Sequence, residues 1–392
     1  MSKLAENYLK QALSLAGLRR GFCAPNPCVG AILVKDEKPI ASGYHWTNGS
    51  PHAEADVLNK VDTQLARGAT LYITLQPCCH NTKKTPPCDQ LLIEKGIAKV
   101  IYGFRDPNPA VAKESNARLL HAGVACTHFA VPEIDHFYSS YQFWWQHERP
   151  FVTAKLAMSL DGKIAGKHGK RVKLTGKLAQ HFTHQHRLHT DAILTTAKTI
   201  YHDNPLLNAR VSGTVIAKPL IILDSTLSLS GTENVFHSAN NITLFHKPDL
   251  PAKDLKKYSQ TRVRLVPVRQ NDNDTGLNWF DILKQLGQDG CHDLWIEAGG
   301  RCVQTLIQNQ LLQRAFIYVA PRWLGQDAQA AFDHPDLLLG ANANAPYFLG
   351  QDVCFQFNWI DNCDYNGAAP YSHNNLINKQ YNTLHDKHFC LP

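Results

Sequence analysis

Apolar residues recur along the chain with two periods, and the alternation between them predicts the elements. Leu4, Tyr8, Ala12, Leu15 and Leu18 stand at helical spacing and Gly21 supplies a stop, so a first helix is expected over residues 3–20. VGAILVK (29–35) and IASGYH (40–45) read as a hairpin, AEADVLNKV (53–61) as a helix and TLYITL (70–75) as a strand. CDQLLIEKG (88–96) reads as a helix closed by Gly96, KVIYGF (99–104) as a strand, and ESNARLLHAG (114–123) and VACTHFA (124–130) lead to an aromatic helical stretch ending at His147. Arg149-Pro150 breaks the pattern, because proline disfavours helix in the residue before it. The alternation then restarts: strands at 151–160, 191–196, 219–224, 242–245, 293–298 and 315–320, with helices near 279–286 and 302–312. Both halves are therefore of the α/β class, each with its own sheet. The expected division is residues 1–147, residues 148–361, and an Asn- and His-rich tail over 362–392 without apolar periodicity.

Length agrees with two domains, since 392 residues exceed the ~250–300 at which single cores stop growing. A composition of 44% hydrophobic and 19% charged residues excludes disorder and fibrous repeats. No run of eighteen apolar residues exists to span a bilayer, and Glu6 interrupts the N-terminus where a signal peptide needs an apolar stretch, so a cytoplasmic protein without a membrane partner is expected. Eleven cysteines, an odd number scattered over a long chain, favour reduced thiols or metal ligands over a disulfide framework. The net charge of +7 divides into +3 for residues 1–147 and +4 for the remainder. Charge so evenly spread shows no nucleic-acid stripe, whereas a small phosphorylated substrate fits it, and a homo-oligomer is compatible with it.

One cluster carries specific chemistry: His52-Ala53-Glu54, then Pro77-Cys78-Cys79-His80 and Thr85-Pro86-Pro87-Cys88. One imidazole and two thiolates suit a tetrahedral Zn²⁺ site whose fourth position is left for water, the arrangement of a catalytic metal. Zinc lowers the pKa of a bound water toward ~7, and Glu54, two residues from the histidine, is placed to shuttle a proton without occupying the metal. His-x-Glu followed by Pro-Cys is the signature of zinc nucleobase deaminases. His52, Cys78 and Cys88 are thus the expected ligands and Glu54 the catalytic residue; Cys79 competes with Cys78, which is favoured because it directly follows the proline.

Pro25-Asn26-Pro27-Cys28-Val29-Gly30, Gly43-Tyr44-His45, the zinc motif, and Asp106-Pro107-Asn108-Pro109 resemble, in order and spacing, the bifunctional riboflavin-biosynthesis deaminase/reductase family over about residues 3–361. The resemblance implies a cytidine-deaminase-like three-layer N-terminal domain that removes the 2-amino group of a diaminopyrimidinone ribosylamine 5′-phosphate. It also implies that Asn26, His45, Lys84 and Asp106 contact that substrate. Hydrogen-bonding Asn and Asp suit a pyrimidine edge, and a lysine suits a phosphate. The chain departs from the family at Gln76 and Cys79, where Glu and Ser are usual, in a loop between the two cysteine ligands one residue longer, and at Lys113-Glu114-Ser115.

No Gly-x-Gly-x-x-Gly follows a strand, so the Rossmann fingerprint is absent. Ala157–Lys163, Asp191–Leu194, Asp203-Asn204-Pro205, Glu297-Ala298-Gly299-Gly300 and Pro321–Gly325 instead resemble the family's reductase domain, which implies a dihydrofolate-reductase-like α/β fold. NADPH is then expected at Ala157, Lys173, Thr199, Asp203, Gly299 and Gly300, and substrate at Arg171, Arg187, Leu207, Arg210 and Glu297. Glycines let a backbone approach a phosphate at the start of the following helix, and the cofactor brings the hydride itself. Asp161-Gly162 also reads as a plain turn. The family's Gly-Glu-Ser-x-Trp-Ile-Thr is here Gly169-Lys170-Arg171-Val172-Lys173-Leu174-Thr175, and Asn204 replaces the second aspartate of Asp-Asp-Pro. These changes either retune the pocket for anions or weaken reduction. The competing functions are a paralogue acting on another pyrimidine or a nucleic-acid base, and a binding protein or sensor for flavin intermediates that no longer turns over.

Overall fold

The computed structural model describes residues 2–79, 87–112, 114–258, 262–271, 276–334 and 336–359. The first half runs α1 (Ser2–Gly17), β1 (Gly30–Lys35), β2 (Lys38–Tyr44), α2 (Ala53–Leu58), α3 (Thr63–Ala66), β3 (Thr70–Leu75), α4 (Cys88–Glu94), β4 (Lys99–Phe104), α5 (Pro109–Ala112), α6 (Ser115–His121), β5 (Ala125–His128) and α7 (Pro132–His147). Its sheet has the order β2-β1-β3-β4-β5, antiparallel at β2-β1-β3 and parallel beyond. Alternate residues of each strand feed opposite faces: Ala31, Leu33, Leu71 and Ile73 pack with Val57, Leu92 and Leu119, while Ile32, Val34, Tyr72 and Ile101 pack with Leu9, Ile134 and Tyr138. Burial on both faces makes β3 and β4 continuous apolar runs and gives three layers, helix, sheet, helix. Gly30 marks how closely α1 lies on β1, since a Cβ there would sit 2.0 Å from the Ala12 carbonyl oxygen.

The second half begins with β6 (Phe151–Ser159), β7 (Lys163–Lys167), α8 (Lys177–His189), β8 (Ala192–Thr196), α9 (Ala197–Asp203), β9 (Ala209–Val211), β10 (Thr214–Ile216) and β11 (Leu220–Leu223). It continues with α10 (Asn234–Ser238), β12 (Ile242–His246), α11 (Ala252–Lys256), β13 (Val263–Pro267), α12 (Trp279–Gln288), β14 (Asp293–Glu297) and α13 (Gly300–Gln308). β15 (Arg314–Ala320), β16 (Ala328–Ala330), β17 (Asn342–Ala343), β18 (Tyr347–Leu349) and β19 (Asp352–Asn358) close it. The main sheet has the order β13-β12-β11-β8-β14-β6-β15-β19-β17, parallel from β13 to β15 and antiparallel from β15 on. It too is covered on both faces, Leu194, Leu294 and Ile317 on one and Ile193, Trp295 and Phe316 on the other.

Several sequence expectations shift. The helix expected at 302–312 runs from Gly300 to Gln308, because Gly299 is its extended N-cap, and the helix expected to reach residue 61 stops at Leu58. The helix α8 escapes periodicity because its sequence is rich in His, Gln and Lys, and only Ala179, Phe182, Thr183 and His184 are buried. The closing antiparallel strands are short or half-exposed and alternate too weakly to read. Asp161-Gly162 is a turn: Gly162 takes φ +70°, and the Asp161 carboxylate accepts from the Leu324 and Gly325 amides. The expected tail lies outside the described residues.

Between the sheets α7 is closed by its C-cap Glu148, in the left-handed region at φ 54°, and β6 begins at Phe151. Residues up to Trp359 nevertheless form one compact unit. Arg20 meets Asp293 at 3.0 Å, Lys218 donates to the Gly21 carbonyl at 2.7 Å, and Trp144 Nε1 donates to the Gly287 carbonyl at 2.8 Å.

Candidate active sites

Two helix starts and one loop assemble the first site. His52 is the N-cap of α2 and Glu54 lies buried in its first turn; Cys88 opens α4, and Cys78 follows β3. His52 Nδ1 lies 3.2 Å from Cys88 Sγ and 3.6 Å from Cys78 Sγ, and the three donor atoms fall within 4.8 Å of one another. Zn–N and Zn–S bonds of ~2.0 and ~2.3 Å at a tetrahedral angle require N···S separations of ~3.6 Å, so this donor set fits zinc. The Cys79 thiol is buried and donates instead to the Ala110 carbonyl at 3.3 Å. The Cys88 thiol donates to Cys78, which holds Cys78 down to about 4 and raises Cys88. Burial pushes the Glu54 carboxyl up to about 7; Cys78 adds to this and His52 opposes it.

A cavity of about 220 Å³ opens beside these residues. Asn26, His45 and Asp106 line it with Glu54. His45 Nδ1 faces the Pro51 carbonyl at 3.0 Å; a carbonyl only accepts, so Nδ1 carries the hydrogen and Nε2 accepts from Asn26 Nδ2 at 3.3 Å. The Asp106 amide donates to Gln76 Oε1 at 3.3 Å, and its carboxylate accepts from the Tyr141 hydroxyl at 3.3 Å. Gln76, at the departure from the family pattern, thus contacts the Asp106 backbone. Tyr141, Trp144 and Trp145 line the far wall. Sequence reasoning missed this wall; its only signal was the aromatic run in α7. Lys84 lies outside the described residues.

The second site sits at the C-terminal ends of adjacent parallel strands, where open α/β sheets place ligands. Ala157 near the end of β6, Thr199 and Asp203 in the helix after β8, and Gly299-Gly300 after β14 are brought to this edge by the strand order. The N-terminus of α13 has no side-chain cap, and a Cβ at Gly299 would meet nothing within 4 Å, which fits a phosphate seated on free amides. Gly300 is glycine for a different reason from the one expected: its Cβ would lie 1.6 Å from the Ala331 carbonyl oxygen. Arg187 and Glu297 form a two-pronged ion pair, with Nη2 to Oε2 at 2.8 Å, and Arg187 also donates to the Asn208 carbonyl. Burial works against the Glu297 carboxylate, but Arg187, Lys155 and the Trp295 indole hold it at about 2. Arg210 donates to Asn208 Oδ1 at 2.9 Å, whereas the Leu207 side chain is buried in the core. Lys155, unmarked by any motif, lies over the Tyr318 ring at 5.3 Å with its amine lowered by burial. Arg171 and Lys173 are exposed, Arg171 Nε standing 3.5 Å from Asp203. Asn204 is the left-handed C-cap of α9 and accepts from the Asn234 amide, so its substitution has a local structural use.

Comparison with known proteins gives one family match in each half of the chain. Residues 2–104 match the cytidine and deoxycytidylate deaminase zinc-binding region, and residues 150–355 match the RibD C-terminal domain. The riboflavin biosynthesis protein RibD of Aquifex aeolicus is 33% identical over 331 residues, covering 83% of this chain and 89% of that protein. The chain belongs to the RibD family. The Escherichia coli RibD is 32% identical across 89% of this chain and 98% of its own. Among solved structures, Acinetobacter baumannii RibD superimposes with a TM-score of 0.80 at 27% identity, covering 91% of this chain and 99% of that one. A deaminase/reductase from Thermotoga maritima gives 0.77 at 27% identity with the same coverage. As a family member the chain is a riboflavin-biosynthesis enzyme, with a zinc-dependent deaminase half and an NADPH-dependent reductase half. It acts on a phosphoribosylated pyrimidine. None of the described helices is long and apolar enough to cross a membrane.

Proposed function

We propose that residues 1–147 deaminate 2,5-diamino-6-(5-phosphoribosylamino)pyrimidin-4-one and that residues 148–361 then reduce the ribosyl group to ribityl. The observation that carries this reading is a single cavity lined by Glu54, His52 and Cys78 together with Asn26, His45 and Asp106. His52, Cys78 and Cys88 hold zinc, which when bound supplies the Lewis acidity that ionises water near neutrality. Glu54 takes a proton from the attacking water and delivers it to the departing amine. Asn26, His45, Lys84 and Asp106 orient the pyrimidine and its phosphate. In the reductase half Ala157, Lys173, Thr199, Asp203, Gly299 and Gly300 hold the cofactor that brings the hydride, while Arg171, Arg187, Arg210 and Glu297 face the substrate and Leu207, its side chain buried in the core, offers only its backbone. Among the described residues no cysteine is in a disulfide, which supports placing the enzyme in a reducing cytoplasm. Incubation with the diaminopyrimidinone phosphate, with and without NADPH, tests the reading: ammonia release should need no NADPH, and NADPH oxidation should follow it.

The two adjacent thiols separate by metal analysis. Cys78→Ser and Cys88→Ser should lose most of the zinc, because a serine hydroxyl is a poor substitute for thiolate, and Cys79→Ser should retain it. Equal loss at Cys78 and Cys79 would show the ligand assignment to be wrong.

Exposed cations at 170, 171 and 173 attract phosphate only through a screened field. NADPH affinity should therefore fall as salt shortens the Debye length below ~8 Å, and restoring Glu, Ser and Trp at these positions should tighten binding about tenfold with weaker salt dependence. Tight, salt-independent binding by the unmodified chain would contradict this.

A further inference from the structure

Three residues of the deaminase cavity rest on the other half of the chain. The turn from the end of α12 to the start of β14 carries Gly287, Gly290 and His292. The Gly287 carbonyl accepts the Trp144 indole hydrogen at 2.8 Å. The His292 ring packs 4.5 Å from Trp144 and 5.2 Å from Tyr141, centroid to centroid. Gly290, at φ +82°, lies so close to Pro25 that a Cβ would come within 2.3 Å of the proline Cβ. Pro25, Tyr141 and Trp144 all line the cavity, and Tyr141 hands the restraint on to the Asp106 carboxylate.

We propose that the turn at 287–292 of the reductase half is a positioning element of the deaminase, fixing the aromatic wall against which the pyrimidine ribosylamine is held. The proposal rests on reading that cavity as the deaminase pocket. An aromatic wall suits a heteroaromatic ring, and its fit depends on the ring's angle; a displacement of about 1 Å costs up to ~10²-fold in rate. Deamination then depends on the reductase half being docked, though not on its chemistry.

The test uses the zinc-loaded full-length chain. Gly290→Ala drives a methyl group into Pro25, and Trp144→Phe keeps a ring while deleting the bond to Gly287. Each should raise KM for deamination about tenfold with a smaller change in kcat, with Trp144→Ala worse than Trp144→Phe. Zinc content and NADPH oxidation with the already deaminated substrate should stay unchanged. Unaltered deamination in both variants would overturn the proposal, as would parallel loss of zinc and both activities, which marks a merely structural contact. Glu54→Gln measured alongside keeps the two readings apart. If that variant is inactive while Gly290→Ala and Trp144→Phe are normal, only the positioning role falls; if it remains active, the pocket assignment falls and takes the positioning role with it.

Discussion

Glu54→Gln is expected to keep its zinc and lose ammonia release by ~10²–10⁴-fold or more, the contribution of a positioned acid–base group. The amide preserves the volume of a side chain buried in the first turn of α2, so neither the helix nor the His52 N-cap has reason to move. It cannot take and return a proton. His52→Ala should behave differently, losing metal as well as activity. Zinc content and ammonia release measured on the same preparations separate the two defects. Near-normal ammonia release from Glu54→Gln would show that proton transfer runs through another group.

Arg187→Met should be the most damaging change in the reductase half. Both members of the Arg187–Glu297 pair are nearly covered, at 11% and 12% exposure, and removing one partner from a buried pair typically costs ~3–5 kcal/mol because the other charge is stranded. The sign of the pH dependence follows from Glu297. Its carboxyl falls from 4.5 to about 2 in the folded chain, so the stabilisation is complete above about 4.5 and disappears as pH falls toward about 2. That shift corresponds to an order of ~3 kcal/mol. The thermal midpoint of Arg187→Met should lie well below that of the parent at pH 7, and the gap should narrow as pH drops through this window. NADPH oxidation should fall too, since the substrate edge loses a fixed cation. A constant gap between pH 7 and pH 3 would mean that the ion pair contributes little.

How far the sequence could be read varied with how local each feature is. The strands β3 and β4 were legible to the residue because both of their faces are buried, leaving mainly apolar runs that open on a polar residue. The helix α8 was not, because its few buried residues sit among histidines and lysines and its stability comes from the sheet beneath it. At the first site the donor types were plain in the motif and the preceding proline favoured Cys78 over Cys79; the structure adds the direction of each thiol, one toward His52 and the other toward the Ala110 carbonyl.

By itself the sequence pointed to the α/β class, to zinc deaminase chemistry with His52, Cys78, Cys88 and Glu54 as its candidates, and, through the resemblance of its motifs, to the family of which this chain is a member, because each is carried by residue types within short stretches of chain. Only the tertiary structure decided that Arg187 meets Glu297 across 110 positions, that Lys155 joins them, and that a turn at 287–292 supports a pocket wall at 141–144. It also showed that Gly300 answers to the Ala331 backbone, whereas Gly299 has open space for a ligand. Such contacts depend on strand order and on the docking of two sheets. Periodicity reports which face of an element is buried and carries no record of the partner that buries it.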